Sequence, residues 1–96
     1  MKPSEALQSH RNAVLDIAAR NGAGNVRVFG SVLRGEDTEN SDLDLLVDVP
    51  RGTTLLDMVR IQNAMREALG VSVDLLTAGD LPRKFRDQVL GEARPV

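Results

Sequence analysis

The sequence predicts an α/β domain of the α+β kind. Its elements run α-β-β-α-β-α, with a small mixed three-stranded sheet and helices packed mainly on one face. Three observations predict this. Hydrophobic spacing alternates between the helical and the strand period along the chain. A strand, a long helix and a strand follow one another, a βαβ unit whose strands run parallel with a right-handed crossover. The link between the first two strands is too short for a crossover and predicts antiparallel pairing. The 96 residues suit one domain, spanning 1–96.

Each element has its own signal. From Ser4 to Asn21, Leu7, Val14, Ile17 and Ala18 fall at helical spacing, and Asn21-Gly22-Ala23-Gly24 ends the helix. Asn25–Phe29 is a β-branched run that stops at Gly30, a first strand. Ser31 to Gly35 can form one helical turn, and the polar stretch Glu36–Ser41 reads as loop. Leu43–Val49 is a second strand, ended by Pro50-Arg51-Gly52. Thr54 and Asp57 form a capping-box variant that opens the long helix. Leu55, Met58, Ile61, Met65, Ala68 and Leu69 make its apolar face, and Gly70 ends it. Val71–Leu76 is a third strand. Asp80 is expected to cap a last helix, with Pro82 in its first turn and Leu81, Phe85 and Val89 on one side.

Strand alternation then separates two faces. Leu43, Leu45, Val47 and Val49 share one face with Val71, Val73 and Leu75. The other face carries Asp42, Asp44, Leu46 and Asp48, with Asp74 if the third strand is adjacent. The helices should cover the apolar face, leaving the acid face open with Phe29, Leu46 and Leu76 uncovered.

Composition narrows the function. There is no cysteine and a single histidine, which excludes disulfides and thiolate or zinc sites. Oxygen ligands remain, and they suit hard cations such as magnesium. A net charge of −2 and only two aromatic residues argue against direct nucleic-acid binding. No apolar run approaches the roughly 18 residues of a membrane span, and no signal-peptide core is evident. The expected setting is cytoplasmic.

Two sites carry chemistry. Asp42 and Asp44, two apart on one strand, project together, and Asp74 can join them. Such clustered carboxylates repel one another unless solvated or bound to a divalent ion. Gly30-Ser31 closes the first strand, where a glycine lets phosphate approach the backbone and free N–H groups can hold it. Antiparallel pairing puts Gly30-Ser31 beside Asp42 and Asp44. A phosphate cradle next to a cation-binding acid cluster suits a nucleoside triphosphate.

Gly30-Ser31, ten residues, then Asp42-Leu43-Asp44 resembles the glycine-serine/DxD signature of the polymerase-β-type nucleotidyltransferase superfamily. The chain is most similar to the minimal nucleotidyltransferase (MNT) family of HEPN–MNT toxin–antitoxin systems. The likeness runs through Val28–Gly35 and Ser41–Val47, with Asp74 as the third acid, to the closing Gln88–Ala93. The resemblance implies a nucleotidyltransferase fold. It implies that Asp42 and Asp44 bind two Mg²⁺, with Asp74 completing a metal site and helping to activate the acceptor. Gly30 and Ser31 would hold the β and γ phosphates of ATP, with Arg34 adding charge. It implies AMP transfer to a tyrosine of a HEPN-domain RNase toxin on a separate chain, in a hetero-oligomer, with the chain acting as antitoxin. A non-catalytic antitoxin that blocks by binding and a small-molecule nucleotidyltransferase are the alternatives. An oligonucleotide polymerase fits less well, for want of basic charge and a second domain.

Other polar residues have plainer readings. Asp48 is read as solvent- or partner-facing, His10 as surface, Thr54 and Asp57 as caps. Met58 and Met65 are read as core, and Arg83, Lys84 and Arg86 as a solvated face.

Overall fold

Pro3 opens the first helix, at a position where its missing N–H costs nothing. In this computed structural model, which describes residues 1–96, helix α1 (Pro3–Ser9) is followed by α2 (Arg11–Arg20). One continuous helix is expected there from the sequence. It breaks at His10, whose φ of −123° is not helical. The bonds His10 N–H to Ala6 O and Val14 N–H to His10 O, 2.9 and 3.2 Å, carry the backbone across the break. Ala6, Val14 and Ala18 are all buried as a result.

The remaining elements are β1 (Gly24–Phe29), α3 (Gly30–Arg34), β2 (Leu43–Asp48), α4 (Leu55–Leu69) and β3 (Val73–Leu76). A single 3₁₀ turn (Ala78–Asp80), α5 (Arg83–Glu92) and β4 (Arg94–Pro95) complete the chain. The sheet order is β3-β2-β1-β4. β1 and β2 pair antiparallel and β2 and β3 parallel, as the connections predict.

The sheet has four strands where the sequence predicts three. β4 pairs antiparallel with β1, Arg94 opposite Val28 and Pro95 opposite Arg27. Two residues are too short to show a period. Pro95 is tolerated because an edge strand need not donate from every residue. The Val96 N–H to Val26 O bond, 2.9 Å, continues the pairing.

One sheet face forms the core. Leu43, Leu45, Val47, Val73 and Leu75 pack with Ile61, Met65 and Leu69 of α4 and Val14 and Ala18 of α2. Met65 is fully buried and Met58 packs at the margin, so both are core as expected. On the opposite face, Leu46 is not uncovered as expected but fully buried. Its register partners there are Arg27, whose stem can lie across apolar surface, and Leu76. The 3₁₀ turn also contacts β2, and Leu81, which follows it, is buried.

Helix caps sharpen two boundaries. Thr54 N–H donates to Asp57 Oδ2 (2.9 Å) and Asp57 N–H donates to Thr54 Oγ1 (3.1 Å), the predicted capping box of α4. Asp80 does not cap α5. Its carboxylate accepts from the Thr77 N–H and hydroxyl, at 2.9 and 3.0 Å, and closes the 3₁₀ turn instead. Arg86 is likewise not a freely solvated cation. Its guanidinium donates to Gly79 O and Leu81 O, at 3.3 and 3.1 Å, and ties α5 to that turn.

β3 is an edge strand, and α4 guards it. Leu75 N–H donates to Gln62 Oε1 and Arg66 Nε–H donates to Val73 O, both at 3.0 Å. Outward backbone groups that would otherwise recruit another strand are thereby occupied. No helix is long and apolar enough to cross a membrane.

Candidate active site

Strand register decides which side chains meet. Phe29 stands opposite Asp44 across the antiparallel ladder, and Asp44 opposite Asp74 across the parallel one. Residues paired this way share a face. The end of β1 therefore delivers Gly30 beside Asp44.

The contact is close. A Cβ at Gly30 would overlap Asp44 Oδ2 and lie 3.1 Å from its Cγ. The Gly30 φ is also +72°, in the region that favours glycine. Glycine is thus required twice here, by conformation and by the carboxylate against its Cα. Ser31 follows in the first turn of α3, where backbone N–H groups lack intrahelical partners.

Arg34 lies in the last turn of α3, exposed and 3.4 Å from Glu36 Oε2. Asp42 is exposed, one residue before β2, and Asp74 is exposed on β3.

The charges are coupled. Burial first, then Asp74 and Asp42, pushes the Asp44 carboxyl up to about 6, while Arg34 opposes the shift. Arg34 is therefore near enough to be felt by the cluster. A half-buried carboxyl between two like charges favours the proton or a cation over the bare anion.

The three carboxylates share a face without closing into a cage. No three acidic or histidine side chains are gathered tightly enough to hold a metal ion by themselves. The donor set fits a hard divalent ion nonetheless: all oxygen, anionic, and set beside a glycine whose missing Cβ lets the Asp44 carboxylate seat against the backbone.

The remaining polar candidates fall elsewhere. Asp48 accepts from the Arg27 guanidinium at 2.7 Å and from Asn25 Nδ2 at 2.9 Å, so it is held at the far end of β2. His10 is exposed, with Nδ1 3.3 Å from Ala6 O, and remote in sequence and face from the acids.

Asp37, in the loop between α3 and β2, has a role that sequence reasoning misses. It is buried, and its carboxylate accepts from Ser4 N–H at 2.9 Å. That backbone hydrogen bond holds its carboxyl below the usual range. The bond pins the loop that joins Ser31 to Asp42 onto the start of α1. Nothing in Glu36-Asp37-Thr38 distinguishes this acid from its neighbours by sequence.

A cleft of about 530 Å³ adjoins Asp74. It lies between the N-terminal half of α4 and the C-terminal end of β3. Its apolar wall includes Leu55, Met58, Val59 and Leu76.

Comparison with known proteins extends this geometry. A family model described as a nucleotidyltransferase domain matches residues 9–96. The protein adenylyltransferase MntA of Thermococcus cleftensis is 35% identical over 86 residues, covering 90% of this chain and 84% of that protein. A solved structure described as a minimal nucleotidyltransferase is 52% identical, with a TM-score of 0.84, covering 97% of this chain and 95% of the other. A chain from a crystal structure of a toxin–antitoxin with AMP-PNP superposes with a TM-score of 0.75. It covers 88% of this chain and 69% of that one. At 21% identity that likeness shows the fold alone.

Proposed function

The chain belongs to the nucleotidyltransferase domain family, and on that premise we propose that it transfers AMP from ATP to a protein hydroxyl. The acceptor in this reading is a tyrosine of a HEPN-domain RNase toxin, a separate chain that the modification silences. One observation carries it: the Phe29–Asp44–Asp74 register, which aligns the glycine-serine turn with two carboxylates across three strands. Two relatives support it. The Thermococcus protein is named a protein adenylyltransferase, and the toxin–antitoxin neighbour was crystallised with AMP-PNP.

In this mechanism Gly30 and Ser31 hold the β and γ phosphates, and Arg34 adds positive charge nearby. Asp42 and Asp44, with Asp74, would hold two Mg²⁺, which would neutralise charge on the triphosphate and the leaving pyrophosphate. Asp74 faces the acceptor and takes the proton from its hydroxyl. The hydroxyl oxygen forms a bond to the α-phosphorus, the α–β anhydride bond breaks, and pyrophosphate leaves. The chain contributes positioning and preorganised charge rather than covalent chemistry. An RNase partner implies a cytoplasmic reaction within a hetero-oligomer.

The test is intact-mass analysis of a HEPN-domain protein, sought in the neighbouring gene, after incubation with this chain, ATP and Mg²⁺. The partner should gain one or more AMP units and lose RNase activity. An unmodified yet silenced partner would favour inhibition by binding alone. That second reading has lost part of its motive, since Leu46 is buried rather than available for docking.

A further inference from the structure

We propose that the cleft beside Asp74 is the docking groove for the acceptor, and that it selects a protein segment with an apolar anchor and a cationic residue flanking the hydroxyl. This deepens the reading above and rests on it. Three features lead here. The cleft contains Asp74 in its wall, so a segment lying in it is continuous with the acid cluster. Its charged lining is wholly acidic, Asp74 and Asp80, with no lysine or arginine to offset them. Its rim is apolar and bare: Leu55 is 82% exposed and Val59 39% exposed. Leu55, Leu56 and Val59 are exposed together at the start of α4, and grouped rather than scattered apolar exposure marks an interaction surface.

The geometry sets the occupant. The volume of about 530 Å³ holds two or three side chains, not a folded domain. Leu55, Met58, Val59 and Leu76 offer an apolar slot, and Asp80 supplies the carboxylate for a cation, leaving Asp74 to the metal and the acceptor hydroxyl. Asp80 is fixed as an acceptor by its bonds from Thr77, so its charge is held in place rather than swinging free. A segment carrying a leucine-like anchor and an arginine or lysine fits both. The second depression, about 490 Å³ and bordered by Arg34, Arg94 and Glu92, has a mixed lining with one positive charge in excess and offers such a segment no comparable site.

Fluorescent tyrosine peptides of equal length provide the test: one flanked by Leu and Arg, one by Leu and Glu, one by Gly and Ser. Binding to the whole chain is read by anisotropy, and AMP transfer by mass, with ATP and Mg²⁺. The Leu/Arg peptide should bind at least tenfold more tightly than the other two. Leu55→Lys with Val59→Lys, both at exposed positions, should remove that preference while ATP binding stays unchanged. Equal binding of all three peptides, no binding of the Leu/Arg peptide, or a preference that survives the double substitution would overturn the proposal. Selective binding without AMP transfer to any acceptor, the HEPN protein included, would sink the transferase reading and leave the groove standing. Transfer to that protein without groove-dependent binding would do the reverse.

Discussion

The two faces of β2 are built from alternate residues of one short strand, yet they obey opposite rules. Leu43, Leu45 and Val47 point into the core and are fully buried. Asp44, with Asp42 just before the strand, lies on the other side, where partial burial and then the charges of Asp74 and Asp42 disfavour the Asp44 carboxylate. One face is stabilised wholly by exclusion of water, and the other, where Leu46 alone is buried, carries carboxylates under electrostatic stress. Period-2 alternation lets a six-residue strand serve both without compromise. The stress persists because the core overrides it, which is how sites with unfavourable local charge survive in folded proteins.

Substitutions can break this division. The largest effect is expected from Asp42→Asn with Asp44→Asn. AMP transfer should fall on the order of 10³-fold or more, as loss of several kcal/mol of charge stabilisation implies. Thermal stability should hold or rise, because a repulsive pair is removed. A double variant that still transfers at the wild-type rate would contradict the assignment. Leu45→Ala should invert the pattern. It should cost about 2–5 kcal/mol in urea unfolding, with the rate per folded molecule little changed. A large loss of rate in fully folded Leu45→Ala would show the faces to be less separable than the burial implies.

Gly30→Ala sits where the faces meet, so it should damage both. The added Cβ overlaps Asp44 Oδ2 and meets a φ of +72°. A stability loss of about 1–3 kcal/mol and a steep fall in nucleotide transfer are expected, read by unfolding and by pyrophosphate release. Retained activity would mean the carboxylate can move aside freely.

The smallest effect is a pH dependence. The Asp44 carboxyl is raised to about 6 in the folded chain from its ordinary 3.8. Its protonated form is favoured by folding, so this contribution is fully present below about pH 4 and is lost as pH rises through about 6. The melting temperature without divalent ions should therefore drift down over that window, relative to Asp44→Asn. Added Mg²⁺ with ATP should reduce the drift at neutral pH. An identical profile for wild type and Asp44→Asn would remove the electrostatic stress from the account.

Much of this was legible in the chain. The alternation in Leu43–Asp48 assigned the two faces, and the short link from Phe29 to Leu43 predicted the antiparallel pair that brings Gly30 to Asp44. Thr54 and Asp57 marked the start of α4 correctly, because a capping box is a local, reciprocal pair. What was not legible depends on tertiary contact. The burial of Leu46 and the bond from Ser4 N–H to Asp37 arise between segments distant in sequence, and the His10 break has no glycine or proline to mark it. β4 has two residues and no period to detect. Asp80 carried a true cap signal, but Pro82 made two helix starts possible, and the 3₁₀ turn took the nearer one.

The edge of β3 has one more consequence. Strand addition is the common, sequence-indifferent way for a peptide to join a sheet, since backbone pairs with backbone whatever the side chains are. Here Gln62 and Arg66 occupy outward groups of Leu75 and Val73, on the strand that carries Asp74. A polypeptide reaching that carboxylate is denied the generic handshake along this stretch. Under the proposed transfer it must be read by its side chains instead, so labelling of any passing extended chain is discouraged by two residues of α4.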